Sequence, residues 1–164
     1  MDLKKSILVF TVSAIIMLGA GITTASAEDF DLTIALGGVE AQGGGKHVKP
    51  GTYLRLDTYL TNNGPDPAPG RITVTGEVLP ECPYLVGWYL STDTIITTDD
   101  IQIGGYCPNG LEAGQTFRFW ADVYVPVNIE GGFYYWGAIA DYNESLVETD
   151  ETNNAATGEQ VNIR

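Results

Sequence analysis

The sequence predicts an antiparallel β-sandwich. Several stretches alternate apolar and polar residues with the period of two that a half-buried strand requires. Gly, Pro, Asn and Asp clusters separate seven or eight such stretches at intervals of 8 to 15 residues, the spacing of a sandwich. Past the N-terminal apolar run there is no convincing amphipathic helical stretch, and no internal repeat is visible.

The elements follow in order. Phe30 to Leu36 alternates and reads as a first strand. Gly43-Gly44-Gly45 and Pro50-Gly51 mark a connection. Tyr53 to Thr61 sets Leu54, Leu56 and Leu60 on one side against Arg55 and Asp57 on the other. Asn62-Asn63-Gly64-Pro65 ends it, because Asn and Gly tolerate positive φ and Pro cannot donate to a ladder. Arg71 to Leu79 is expected as a further strand. Leu85 to Ser91 follows with Trp88 in the core, then a polar loop over Thr92 to Asp100. Ile101 to Ile103 is expected as a short edge strand. Thr116 to Val125 opposes Phe117, Phe119, Val123 and Val125 to Arg118, Trp120, Asp122 and Tyr124. Phe133 to Ala140 is apolar throughout, as a central strand covered on both sides would be, and its residues alone do not fix the inward set. A last strand is expected near Gln160 to Ile163.

Residues 1–27 have the parts of a secretory signal peptide: Lys4 and Lys5, an apolar run from Ile7 to Met17, and Ala25-Ser26-Ala27 before Glu28. The run is short for a membrane span of about 20 residues, though an uncleaved anchor is the alternative. Cleavage after Ala27 would leave one domain of 137 residues, 28–164 of the 164, enough to bury a core. The six basic and twenty acidic residues remaining in it give a net charge of −14. Such a surface repels phosphate backbones and anionic lipid, which disfavours nucleic-acid and membrane-surface binding, and no direct membrane insertion is expected after cleavage. It suits divalent cations or basic partners; a saline habitat would also select it with no partner implied. Cys82 and Cys107 are an even pair in an exported chain, expected as one disulfide closing a 26-residue loop.

The stretches LVGWYLSTDTIITTDDIQIG (85–104), YVPV (124–127) and GFYYWGAIADYNESLVETDETNN (132–154) carry a family resemblance. The chain resembles the cell-adhesion-related domain of bacteria and archaea, CARDB, over about residues 30–163. The matching positions include Tyr89-Leu90-Ser91, Asp93, Pro126, Gly132, Tyr134-Tyr135, Ala138, Asp141, Glu148, Asp150-Glu151 and Asn153-Asn154. The resemblance implies an immunoglobulin-like sandwich found in surface and secreted proteins, with no catalytic residues. It places 141–154 at the turn before the last strand and favours Tyr134, Trp136, Ala138 and Ala140 as inward-facing. An insertion around Arg71 to Pro83, containing Cys82, departs from the pattern.

DYNESLVETDETNN (141–154) poses the main functional question. Asp141-x-Asn143-x-Ser145 opens like an EF-hand loop, but Leu146 replaces the sixth-position Gly and Thr152 the twelfth-position Glu. A less regular calcium site could draw on Asp141, Asp150 and Glu151 with Asp93, Asp99 or Asp100; calcium is the one cofactor these residues suggest. The alternative is turn chemistry, in which Asp and Asn accept hydrogen bonds from nearby backbone amides. Thr92 to Asp100 offers the same choice. Asn143-Glu144-Ser145 is a glycosylation sequon. Trp120 and Tyr124, flanking Asp122 on the outward side of their strand, could bind a sugar or simply pack across strands.

Catalysis has little support: His47 is the one histidine, and no nucleophile elbow, zinc motif or phosphate loop occurs. The expected protein is not an enzyme. It is expected as a secreted extracellular or cell-surface binding and adhesion module contacting an extracellular protein or a cell-envelope component. The alternative is a calcium-dependent carbohydrate-recognition module using the acidic loops and exposed aromatics.

Overall fold

A computed structural model describes residues 29–164; the expected signal segment lies outside them. The strands are β1 (Leu32–Ala41), β2 (His47–Val48), β3 (Tyr53–Asn62), β4 (Val86–Ser91), β5 (Ile101–Tyr106), β6 (Thr116–Tyr124), β7 (Gly132–Ile139) and β8 (Ala155–Ile163). They form a three-stranded sheet in the order β1-β3-β6 and a five-stranded sheet in the order β2-β8-β7-β4-β5. The sandwich the alternation predicts is the fold observed.

The core lies between the sheets and follows from the period-two pattern. Leu54, Leu56 and Leu60 of β3 are fully buried, and register sets them opposite Val123, Ala121 and Phe117 of β6. The facing sheet contributes Val86, Trp88 and Leu90 from β4 and Tyr134, Trp136 and Ala138 from β7. Each fully buried Leu or Val removes enough apolar surface from water to contribute about 1.5–3 kcal/mol. Thr58 interrupts the leucine row for a reason: its Oγ1 accepts the indole Nε1–H of buried Trp88 at 3.0 Å. The inward set of β7 is the one the resemblance favours.

Several expectations need correction. Residues 71–79 form no strand; Ile72 and Val78 make an isolated bridge around a turn at Thr73–Gly76. Val74 and Val78 stay exposed because the segment has no sheet neighbour against which to bury them. Strand β1 runs on to Ala41, past a register shift between Leu36 and Val39 where Gly37-Gly38 adds a residue. Strand β8 starts five residues before the expected position. One pairing is parallel: His47 and Val48 lie beside Asn162 and Ile163. Strand β7 is central, but its outer side is covered only in part. Ile96 packs on Gly137, where an added Cβ would lie 2.3 Å from Ile96 Cγ1, whereas Phe133 is 62% exposed.

Cys82 and Cys107 form the expected disulfide. They lie just outside the Val86–Tyr106 pair and close the β4–β5 ribbon where the 71–85 segment joins it.

Candidate binding face and acidic loop

The outer side of the three-stranded sheet is open, and alternation sends a defined set of side chains there. Register pairs Tyr53 with Tyr124, Arg55 with Asp122, Asp57 with Trp120 and Tyr59 with Arg118. Tyr53, Trp120 and Tyr124 are exposed by 48, 54 and 43%, so the face presents aromatic rings to solvent. Tyr53 and Tyr124 meet edge to face, with ring centres 5.4 Å apart. Such a pair stands as one unit at one end of the face.

Arg118 holds the other end in place. Its Nε and Nη2 donate to Asp57 Oδ1 and Oδ2 at 2.9 and 2.7 Å, a two-pronged match of planar groups. The guanidinium also lies 5.0 Å from the Trp120 ring centre and 5.2 Å from that of Tyr59, close enough for cation–π attraction to both. Arg118, through its hydrogen bonds first, keeps the Asp57 carboxyl below its ordinary value against the cost of burial. Gly37 makes room for that carboxylate, since a Cβ there would stand 2.2 Å from Asp57 Oδ2.

Between the two aromatic ends, Arg55 donates to Asp122 Oδ1 and Oδ2 at 2.9 and 3.0 Å. Two hollows flank this pair and share Glu40, Arg55 and Asp122. One, of about 510 Å³, reaches Gln42 and Tyr53; the other, of about 320 Å³, is bounded by Trp120.

The acidic loop has a different construction, with most of its carboxylates turned to its own backbone. Asp141 is buried and accepts from the amides of Ser145 and Leu146 at 3.1 and 2.8 Å. Asp150 Oδ1 caps Thr152, and Glu151 Oε1 accepts the Glu148 amide. Asp141 and Glu144 adopt positive φ, the sharp geometry that the turn reading anticipates for Asp. In the 92–100 loop Asp93 accepts from Ile95 N and Asp100 from Thr97 N, while Asp99 is exposed. Among the described residues, no group of three or more His, Cys, Asp or Glu side chains could hold a metal ion. The six carboxylates considered for calcium are therefore not assembled into one site. Asn143 of the sequon is exposed, with its Oδ1 accepting the Leu85 amide at 3.0 Å.

Glu148 is a position the resemblance matches but to which sequence reasoning gave no role. It is buried; Oε2 accepts the Leu32 amide, and Oε1 accepts Asn154 Nδ2 at 3.0 Å. Burial pushes its carboxyl up to about 7, with Glu151 and Asp141 adding to the push and the two hydrogen bonds opposing it. Burial likewise raises Asp141 and the enclosed Tyr84 hydroxyl.

No family model and no curated protein matches the chain. Solved structures do. The CARDB domain of a Pyrococcus furiosus protein, in complex with di-metal ions, is 18% identical with a TM-score of 0.52. The alignment covers 83% of this chain and 94% of that one. The solution NMR structure of that domain gives 20% identity and a TM-score of 0.50, over 83% of this chain and 96% of that one. The fold is the CARDB fold. Within it, the run from Glu148 to Asn154 ties the acidic turn to the start of β1. Glu148 takes the Leu32 amide, and Asn153 Nδ2 donates to Asp31 Oδ1 at 2.8 Å. The 71–83 segment and its disulfide sit beside this end of the CARDB sandwich, with the Arg71 amide bonded to Pro108 O.

Of the residues expected to bind ligand, Trp120 and Tyr124 lie on one open face as anticipated. Sequence reasoning missed their companions Glu40, Tyr53 and Arg55. The outward alternation of β3 carried that signal, but pairing β3 with β6 requires the register.

Proposed function

We propose that this protein is a non-catalytic, secreted binding and adhesion module. It contacts an extracellular protein or a cell-envelope component through the open face of its three-stranded sheet. The supporting observation is the set of exposed rings, Tyr53, Trp120 and Tyr124, on a rigid sheet with Arg118 locked between Trp120 and Tyr59. An aromatic anchor held in one posture lowers the entropy cost of binding. The CARDB fold agrees with this reading without naming a partner. Binding of the purified protein to cell-envelope fractions of its own organism tests it. The Trp120→Ala/Tyr124→Ala variant should lose retention while remaining folded, with at most a modest fall in melting temperature; undiminished retention refutes the reading.

The second reading, calcium-dependent carbohydrate recognition, divides in two. The exposed rings favour its carbohydrate half. Its calcium half draws only on the di-metal complex of the Pyrococcus domain, whereas most of the six carboxylates considered for calcium here accept backbone amides.

A further inference from the structure

We infer that the open face takes an uncharged, extended oligosaccharide of about three sugar rings, laid along β3 and β6 from the Tyr53–Tyr124 pair to Trp120. This rests on the binding-face reading above and names its ligand. No calcium takes part.

The spacing is the first argument. Trp120 and Tyr124 stand four residues apart on one side of one strand, about 13 Å by strand rise, a distance that roughly three pyranose rings would span in an extended chain. A pyranose has C–H-rich faces that sit on aromatic rings and hydroxyls around its rim. The face supplies both partners in that order: a ring pair, the planar Arg55–Asp122 pair, then a ring.

Relief is the second argument. The two hollows on either side of Arg55–Asp122, of about 510 and 320 Å³, each have room for a sugar ring. Asp122 and Glu40 bring carboxylate acceptors to both hollows, and Arg55 keeps guanidinium donors beyond the two that it spends on Asp122. The ground between the rings is polar rather than aliphatic, which suits the hydroxyl rim of a sugar. Along β1, β3 and β6 the outward positions between the rings carry nothing aliphatic larger than Ala35.

Charge selects the ligand class. Arg55 and Arg118 are each paired, with Asp122 and Asp57, which leaves Glu40 as the unmatched charge in the hollows. The whole chain carries −13. Anionic glycans would be repelled, while neutral ones bring no charge that must be desolvated.

Trp88 and Trp136 are buried, so fluorescence change on ligand addition reports on Trp120. The purified protein is titrated with cellohexaose, xylohexaose, mannohexaose, laminarihexaose and chitohexaose to about 10 mM, where even millimolar sites saturate. Calorimetry repeats the titrations for the variants. At least one hexaose should bind saturably, equally well with calcium or with chelator. Trp120→Ala should weaken it by about tenfold or more, Arg55→Met and Tyr124→Ala severalfold, and Phe133→Ala on the other sheet not at all. Saturation by none of the five overturns the inference, as does undiminished binding by Trp120→Ala or tighter binding of hexagalacturonate than of any neutral hexaose. If glycans fail yet the Trp120→Ala/Tyr124→Ala variant loses envelope retention, the ligand on this face is a protein; the glycan inference falls and the binding-face reading stands. Failure of the glycans together with undiminished envelope retention removes both.

Discussion

Arg118 reaches across from β6 to grip the buried carboxylate of Asp57 with two hydrogen bonds, and its guanidinium lies within cation–π range of the Trp120 ring. One pair thus links sheet stability to the posture of the exposed tryptophan. Asp57→Asn should cost about 1–2 kcal/mol, discounted from a fully buried pair because Arg118 is half exposed. It should also broaden the Trp120 indole resonance. Chemical denaturation and NMR test both; an unchanged denaturation midpoint would refute the structural half.

Gly37 gives an independent approach to the same pair. Gly37→Ala places a methyl where the Asp57 carboxylate now lies, so it should destabilise by about 1–3 kcal/mol through overpacking. Gly38→Ala next to it meets nothing within 4 Å and should cost much less. Equal melting temperatures for the two variants would contradict the close approach.

Glu148 should make stability depend on pH in an unusual direction. Its carboxyl is pushed up to about 7 in the folded chain from an ordinary 4.5, so the folded state holds the proton more tightly. That contribution is complete below about 4.5 and is lost as pH rises through 7, and Asp141 acts with the same sign. Asp57 acts oppositely, but only as pH falls below 3.8. The melting temperature should therefore drop on the order of 5 °C between pH 4.5 and 7.5, and Glu148→Gln should flatten most of that slope. Parallel curves for the two proteins would count against the assignment.

The metal question has a direct thermal test. A site of 10 μM Kd would add about 2.7 kcal/mol in 1 mM calcium, worth roughly 5–11 °C. With Asp141, Asp150 and Glu151 accepting amide hydrogen bonds, the expected shift between calcium and chelator is under about 2 °C. A rise of 5 °C or more would restore a calcium site.

Much of the fold was legible because the three-stranded sheet leaves one face in solvent. Leu54, Leu56 and Leu60 announce an inward row, and Phe117 to Val125 announces its partner. The failures have a shared cause. Arg71 to Leu79 has strand-forming residues but no neighbour to pair with, and pairing is not a local property. The parallel contact of His47 and Val48 with β8 spans more than a hundred residues and leaves no periodic trace in so short a strand. The site was half legible. Trp120 and Tyr124 could be placed by alternation on one strand, but Glu40 reaches Arg55 only after the shift at Gly37-Gly38. Glu148 looked like one acid among many until burial separated it from the rest.

The chain enters the sandwich beside Thr149, where Phe30 O accepts that residue's amide, and leaves it beside Gly132 at the far end of β8. Strands β1 and β8 run the same way between these poles, about 30 Å apart by the rise of β8's nine residues. A pull applied to the two termini would therefore act along both strands. The ladders joining β1 to β3 and β8 to β7 would be loaded in shear, many bonds together, rather than peeled one at a time. Under the adhesion reading proposed above, that geometry would resist tension.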